Sequence, residues 1–476
     1  MQHQILQLFK FVISQKKTTG ATGPVPYHRI NTAQERSTDK TMNIESDMMK
    51  KNPTKMNTIL ADAFKEKVTD VAITSEIAPL KSVLLKRPGQ ELNNLTPAVL
   101  DRLLFDDIPF LENAQKEHDD FSETLKKGKT QVFYLEDLVG DILKDSANSL
   151  DFIRRFLRLS NIHNPKLIAA LSDYLSTLSG TALCQKLMSG LKKSEFRYHD
   201  KSLSGQVTSS DDFWLEPIPN LYFTRDPAAI VGNLVLLNRM FAKTRRRESL
   251  FIEHVFKYHS LFKHNKLLSA EHFPDAIEGG DLLVLDRHTL AIGISQRTSA
   301  KAIESLCHAL FFDESLKPHH EINKVLAFNI PSSRAFMHLD TVLTQVDNCK
   351  FTIHQGIVGH TNIYRLTPDD HNHIKCRKLS NSIENSLSAE LDKAVEIIYC
   401  GGYDSINGSR EQWSDGANTL AVTPGEVLVY ERNCMTNKIL EDHGVIVHKM
   451  PCSELSRGRG GPRCMSMPLV RSSHQA

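Results

Sequence analysis

An α/β fold with a helical insertion is predicted by three observations. Short apolar runs recur at strand length, amphipathic stretches separate them, and one long interval repeats apolar residues at helical spacing with no strand inside it. The first element is the run Leu80 to Pro88, which alternates into a buried strand and stops at proline, with a turn at Pro88-Gly89. Amphipathic helices follow near Ala98 to Leu104 and Leu111 to Lys126, then a strand at Gln131 to Tyr134. Between about Leu138 and His199, residues such as Ile153, Phe156, Leu157, Leu167, Leu171, Leu175, Leu183 and Leu187 keep helical spacing. After Pro217, strands are expected near Leu221 to Phe223, Ala228 to Val231 and Leu234 to Leu237, then a helix from Arg246 to Tyr258. Further strands fit Leu282 to Leu285, Thr289 to Ile292, Val342 to Val346, Lys350 to Ile353, Ala394 to Tyr399, Thr419 to Thr423 and Val427 to Tyr430. Asp369 to His373 and Gly401 to Ser414 read as loops, the second long enough to move over a site. No short-period repeat is visible. The expected divisions are an N-terminal extension over 1–76, disordered or targeting; a first α/β part over 77–137; an inserted helical subdomain over 138–205; and the remainder of the α/β body over 206–476.

The chain has 476 residues, enough for two or three domains or one large α/β unit. A net charge of +2 gives no drive toward nucleic acid, and no apolar run is long enough to span a bilayer. Eight cysteines without a CxxC pair suit reduced thiols in an intracellular compartment. From Met1 to Gln34 there is no acidic residue, while Lys10, Lys16, Lys17 and Arg29 accompany an apolar patch. That pattern reads either as an organelle presequence or as a disordered tail ahead of a start at Met42.

Five segments carry candidate chemistry. Arg457 to Pro468, RGRGGPRCMSMP, sets Cys464 behind a cationic, glycine-rich loop. Neighbouring guanidinium groups would lower a thiol from its free pKa of about 8.5, and glycines let backbone amides approach a ligand; the alternative is a small buried cysteine. In PNLYFTRDP, Asp226 precedes a proline and is biased toward extended backbone, free to bind a cation or to pair with Arg225 in a turn. Ile277-Glu278-Gly279-Gly280-Asp281 is either a hairpin start or a close approach that aims Glu278 at a ligand. In Met337 to Thr341, period-two spacing puts His338 and Asp340 on one face of an extended segment, an acid/base candidate or a structural pair. The basic runs at Lys243 to Arg247 and Gln296-Arg297 are solvated helix starts, or forks for a small carboxylate. Paired carboxylates to grip a guanidinium, with arginines for the opposite end, describe free L-arginine.

With these segments in order, joined by LLFDDIPFLENAQKEHDDF (Leu103 to Phe121) and GANTLAV (Gly416 to Val422), the chain resembles the arginine deiminase family of the wider guanidine-modifying superfamily from about Leu80 to Arg471. The resemblance implies a pentein-like five-bladed α/β propeller with an inserted α-helical bundle. It implies that Cys464 is the nucleophile, His338 the general acid/base, Glu278 its carboxylate partner, and Asp226 with Asp340 the guanidinium-binding pair. Asn220, Arg245, Arg297 and Arg459 match positions that bind the amino-acid end; Arg246 or Arg247 could replace Arg245 with a small shift. The resemblance implies a variable residue directly before the nucleophile; here it is Arg463, which leaves the tuning of the thiol open.

The reaction so implied is hydrolysis of L-arginine to L-citrulline and ammonia through a covalent amidino-thioether, with no cofactor or metal. The expected partner is the small-molecule substrate, with no nucleic acid and no membrane, in a homo-oligomer (dimer or tetramer). A cytoplasmic location is expected, with a mitochondrion-type organelle as the alternative. Rival readings are amidino transfer, hydrolysis of a methylated arginine, an inert arginine- or RNA-binding module, and a metal-dependent ureohydrolase drawing on His319-His320 or Asp369 to His373. No Asp/His run on a strand favours the last of these.

Overall fold

The computed structural model describes residues 69–199, 203, 213–380 and 382–471. Five sheets repeat one pattern, in which a first strand pairs antiparallel with a central strand and a helix then crosses over to a third strand parallel to it. Parallel neighbours need such a crossover, whereas antiparallel ones need only a turn. In one sheet Ala228–Val231 and Leu234–Leu237 pair antiparallel, α6 (Arg246–Tyr258, numbered below) crosses, and Lys266–Leu268 adds in parallel. The next runs Leu282–Val284, Thr289–Ile294 and Lys324–Asn329, then extends through Asn362–Pro368 to Ile374–Lys378. Leu343–Asp347, Lys350–Ile353 and Glu396–Tyr399 form another, and Leu420–Thr423, Glu426–Tyr430 and Ile446–Met450 a fourth. The fifth joins distant parts of the chain: Met467–Arg471 pairs antiparallel with Leu80–Leu85, which pairs in parallel with Gln131–Tyr134.

The strands form where apolar side chains run continuously. All eight residues of Ala228–Val231 and Leu234–Leu237 are buried, as expected for a sheet covered on both faces. Helix α1 (Leu111–Lys127) buries Leu111, Ala114, His118, Phe121 and Leu125, a stripe with the spacing of a single helical face. Four helices then follow in succession: α2 (Leu135–Ile142), α3 (Ser146–Leu159), α4 (Pro165–Leu175) and α5 (Gly180–Ser189). Asp145 caps α3 through its side chain, and Asn164 with Pro165 starts α4. Phe152 and Phe156 of α3 meet Phe251 of α6 at ring-centroid distances of 5.0 and 6.2 Å, so the helical run shares one core with the sheets.

Several expectations change. The break after residue 76 falls earlier: Val71, Ile73 and Glu76 are buried, and Ala72 and Ile73 make bridges to Val470 and Gly232. Residues 1–68, with the basic leader, lie outside the described residues. The strand expected at Leu221 to Phe223 is instead a 3-10 turn, Pro219–Tyr222, started by proline. His338 is extended, but Leu339–Thr341 is a 3-10 turn, so Asp340 reaches its place by a turn and not by strand alternation. The loop expected over Gly401 to Ser414 contains a helix, Ser405–Trp413, capped by Asp404. Among the described residues, no helix is long and apolar enough to cross a membrane.

Candidate active site

Each of the five sheets delivers one polar side chain from the loop just before its first strand. Asp226 precedes Ala228, Glu278 precedes Leu282, Asp340 precedes Leu343, Asn418 precedes Leu420 and Cys464 precedes Met467. Loops at the ends of rigid strands are where a scaffold can aim such groups. Hydrogen bonds tie the loops together: the Asp226 carbonyl accepts from the backbone N–H of Gly279 at 3.0 Å and from the side-chain Nδ2 of Asn238 at 2.8 Å. The Asn418 amide staples two loops, donating Nδ2 to the Asp340 carbonyl at 3.1 Å while its Oδ1 accepts from Cys464 N–H at 3.0 Å. Two glycines are required by close approach. A Cβ on Gly280 would stand 2.6 Å from His338 Nδ1, and one on Gly460 would stand 2.3 Å from the Phe223 ring. These glycines therefore clear room for protein groups, where the sequence suggested room for a ligand.

On one side of the site, His338 Nε2 meets Glu278 Oε2 at 2.8 Å, and His338 Nδ1 lies 3.8 Å from Asp226 Oδ1. Burial disfavours the imidazolium, but the charge of Asp226 and the Glu278 hydrogen bond outweigh it and raise His338 to about 9. Burial likewise resists the Glu278 carboxylate, yet the His338 bond with the charges of Arg297 and Arg245 holds its pKa below the usual carboxylate range. Arg245 forks onto Glu248 at 2.9 and 2.8 Å and gives Nη1 to Asp226 Oδ2 at 3.0 Å. Of the three consecutive arginines only Arg245 reaches the site; Arg246 turns to the Met240 carbonyl and Arg247 to the Glu216 carbonyl. In this arrangement the bonds of Arg245 go to protein carboxylates.

On the other side, Cys464 Sγ lies 3.6 Å from Asp340 Oδ2. That oxygen also accepts Arg463 Nη1 at 2.7 Å, while Arg463 Nε binds Glu76 at 2.7 Å and Nη2 binds the Leu282 carbonyl at 2.8 Å. The expectation of a thiol lowered by its arginine-rich loop is overturned. Burial, with the charges of Asp340 and Asp226, pushes the Cys464 thiol well up, and Arg463, engaged with carboxylates of its own, offsets this only in part.

What remains unpaired has a pattern. Asp226 Oδ1 and Asp340 Oδ1 are buried without hydrogen-bond partners, as are Nε and Nη1 of both Arg297 and Arg459. Buried polar atoms are rarely left so, and two free carboxylate oxygens with two half-free guanidinium groups match a ligand cationic at one end and anionic at the other. Arg459, at φ 60°, stacks on Trp413 with 3.4 Å between guanidinium carbon and ring centroid. Asn220 is buried and donates Nδ2 to the Leu103 carbonyl at 2.7 Å. The site is closed: Cys464 and His338 are each 4% exposed and Asp340 0%, and the open cavity of about 600 Å³ nearby is bordered by Trp413, Arg457 and Arg459. Asp226, Glu278 and His338 place possible ligand atoms within 4.8 Å of one another, but Arg245 and the charged imidazole already occupy them as cations.

Four participants escape a reading by sequence. Glu76 falls in the segment that the sequence marks as an extension, Arg463 reads only as a neighbour of the thiol, and Glu248 and Asn418 sit inside a helix start and the GANTLAV segment without a visible role. For Glu248 a signal existed, since its spacing from Arg245 is that of an i,i+3 pair.

Residues 101–471 match the family model described as arginine deiminase. The chain is 47% identical over 406 residues to the arginine deiminase of Clostridium perfringens (strain SM101 / Type A), covering 84% of this chain and 97% of that protein. It is 45% identical over 410 residues to the arginine deiminase of Borreliella afzelii (strain PKo), covering 86% and 99%. A solved amidinotransferase of Microseira wollei overlaps 85% of this chain and 99% of its own at 15% identity with a TM-score of 0.47; membership of a family rests on the sequence relatives.

Proposed function

The chain belongs to the arginine deiminase family, and from that premise we propose that it hydrolyses L-arginine to L-citrulline and ammonia, with Cys464 as nucleophile and His338 as acid and base. The observation that carries this reading is the pair of unpartnered buried oxygens, Asp226 Oδ1 and Asp340 Oδ1, beside the thiol and the imidazole. A guanidinium seated between them places its positive charge where two carboxylates now raise the thiol. The sulfur then gives up its proton to solvent as substrate binds, against the upward push of burial and of Asp340 and Asp226. Thiolate attack forms a carbon–sulfur bond, the carbon–nitrogen bond breaks, and His338, held protonated by Glu278, gives its proton to the departing nitrogen. Water attacks the amidino-thioether next and His338 takes one of its protons; the carbon–sulfur bond then breaks with its electron pair on sulfur, and the remaining hydroxyl proton passes to that sulfur as citrulline is released. A guanidinium on Asp226 also competes with Arg245, freeing it to join Arg297, Arg459 and Asn220 at the amino-acid end.

The same proposal takes the five repeated sheets as blades around one axis, the helices α2–α5 as an inserted bundle, and the active form as a cytoplasmic homo-oligomer. Tyr403, Ile406 and Met435, exposed around the helices Ser405–Trp413 and Cys434–Asp442, are apolar surface that a second copy would cover; light scattering tests the assembly. For the chemistry, citrulline and ammonia are measured with and without EDTA, beside Cys464→Ser. Equal release of both products, unaffected by EDTA and lowered by about four orders of magnitude or more in the variant, is expected. Ornithine and urea, or a need for an acceptor amine, would move the chain to a ureohydrolase or a transferase.

A further inference from the structure

A second cleft, of about 680 Å³, lies between the end of α3, the strand Phe213–Leu215 and the turn Lys243–Arg245 that leads into α6. Its walls carry five cations, Arg102, Arg158, Lys243, Arg246 and Arg247, against one carboxylate, Glu216, which Arg102 engages at 2.8 Å. Among the described residues none of the other four cations is in an ion pair. Arg247 is the informative one. It is 3% exposed, gives Nη1 to the Glu216 carbonyl at 2.8 Å and rests its guanidinium 5.3 Å from the Phe156 ring centroid, while the carboxylates of Glu216 and Glu248 act on it without forming a salt bridge. Burying a charge is expensive unless it is closely paired, and burial pulls this arginine down to about 10, an effect that the charges of Glu216 and Glu248 offset only in part. The Thr244 hydroxyl, also on the wall, is buried without a partner, and α6 starts beside it with no side-chain cap on its first N–H groups.

We infer that this cleft binds a small polyphosphate-bearing anion, held by Arg158, Lys243, Arg246 and Arg247 and flanked by the ring of Trp214. Guanidinium forks match phosphate oxygens two at a time, four unpaired cations suit several phosphate charges better than a single carboxylate, and the volume takes a molecule of nucleotide size. The anion would sit against the turn that carries Arg245 to Asp226, so the catalytic centre is within reach of its effect.

The test is titration calorimetry of the full chain without arginine, using inorganic tripolyphosphate and ATP as probes, so its result is independent of the deiminase reading. Both probes are expected to bind, more weakly as salt is added. Arg158→Glu and Lys243→Glu change exposed residues outside the catalytic set, and each is expected to weaken binding by about tenfold or more, the worth of one hydrogen-bonded charge. Tighter binding of ATP than of tripolyphosphate would add a contribution of the base against Trp214; equal binding would leave the polyphosphate chain as the ligand. No heat with either probe at about 5 mM, or affinity unchanged in both variants, would overturn the inference.

Discussion

Asp226 and Asp340 are each held by an arginine on one oxygen and lack a hydrogen-bond partner on the other, but the two clamps are built differently. The clamp on Asp226 is local: Arg245 and Glu248 lie one turn apart at the start of α6, and the fork closes within that turn. The clamp on Asp340 spans the chain, with Arg463 drawn from the loop before the last sheet strand and Glu76 from the stretch before the first. The first needs only the start of α6 and the neighbouring hairpin that carries Asp226, 19 residues away. The second exists only when the whole fold has closed, so it ties chemistry to global stability, whereas the first ties it to one helix end.

That contrast can be broken at several points, beginning where the effect is largest. Asp226→Asn and Asp340→Asn each remove a charge from the proposed guanidinium seat, and each is expected to lower kcat by about a thousandfold. If either variant kept more than a tenth of the activity in a citrulline assay, the two carboxylates would not be equivalent. Next, Arg463→Lys keeps the charge but loses the fork that joins Glu76 to Asp340. A loss of about 2–3 kcal/mol in denaturant unfolding is expected, with part of it reproduced by Glu76→Gln; an unchanged midpoint in both would leave the long-range clamp without a stabilising role. The smallest effect concerns His338. Its folded pKa of about 9 lies above the ordinary 6.5, so the protonated acid is present below about 9 and is lost as pH rises through it. The alkaline limb of kcat/KM should fall near there, and Glu278→Gln should move that limb about one unit or more toward lower pH. A limb that stays in place would remove Glu278 as the partner of the imidazole.

Much of the fold is legible in the sequence where apolar runs are continuous. Gln131–Tyr134, Ala228–Val231, Leu234–Leu237, Lys350–Ile353 and α6 lie where the spacing puts them. Ile374–Lys378 is not legible: as an edge strand with exposed Lys375, Cys376, Arg377 and Lys378, it shows no alternation to read. The fivefold repetition is hidden as well, because the units share a geometry and not a sequence. At the site, residue types mark Cys464, His338, Glu278, Asp226 and Asp340 as reactive, and the fold brings them together. Their pairings could not be read from spacing, since Glu76 and Arg463 meet across nearly the whole chain. The upward push on the thiol is illegible for a related reason: an arginine adjacent in sequence spends its charge on Asp340 and Glu76.

The sheet that joins Met467–Arg471 to Leu80–Leu85 also sets an order in time. Because Cys464 stands directly before its closing strand, a ribosome must translate through Arg471 before that sheet can assemble. A nascent chain that stops short of Arg471 has no placed Cys464, and on the proposed mechanism it cannot turn over arginine.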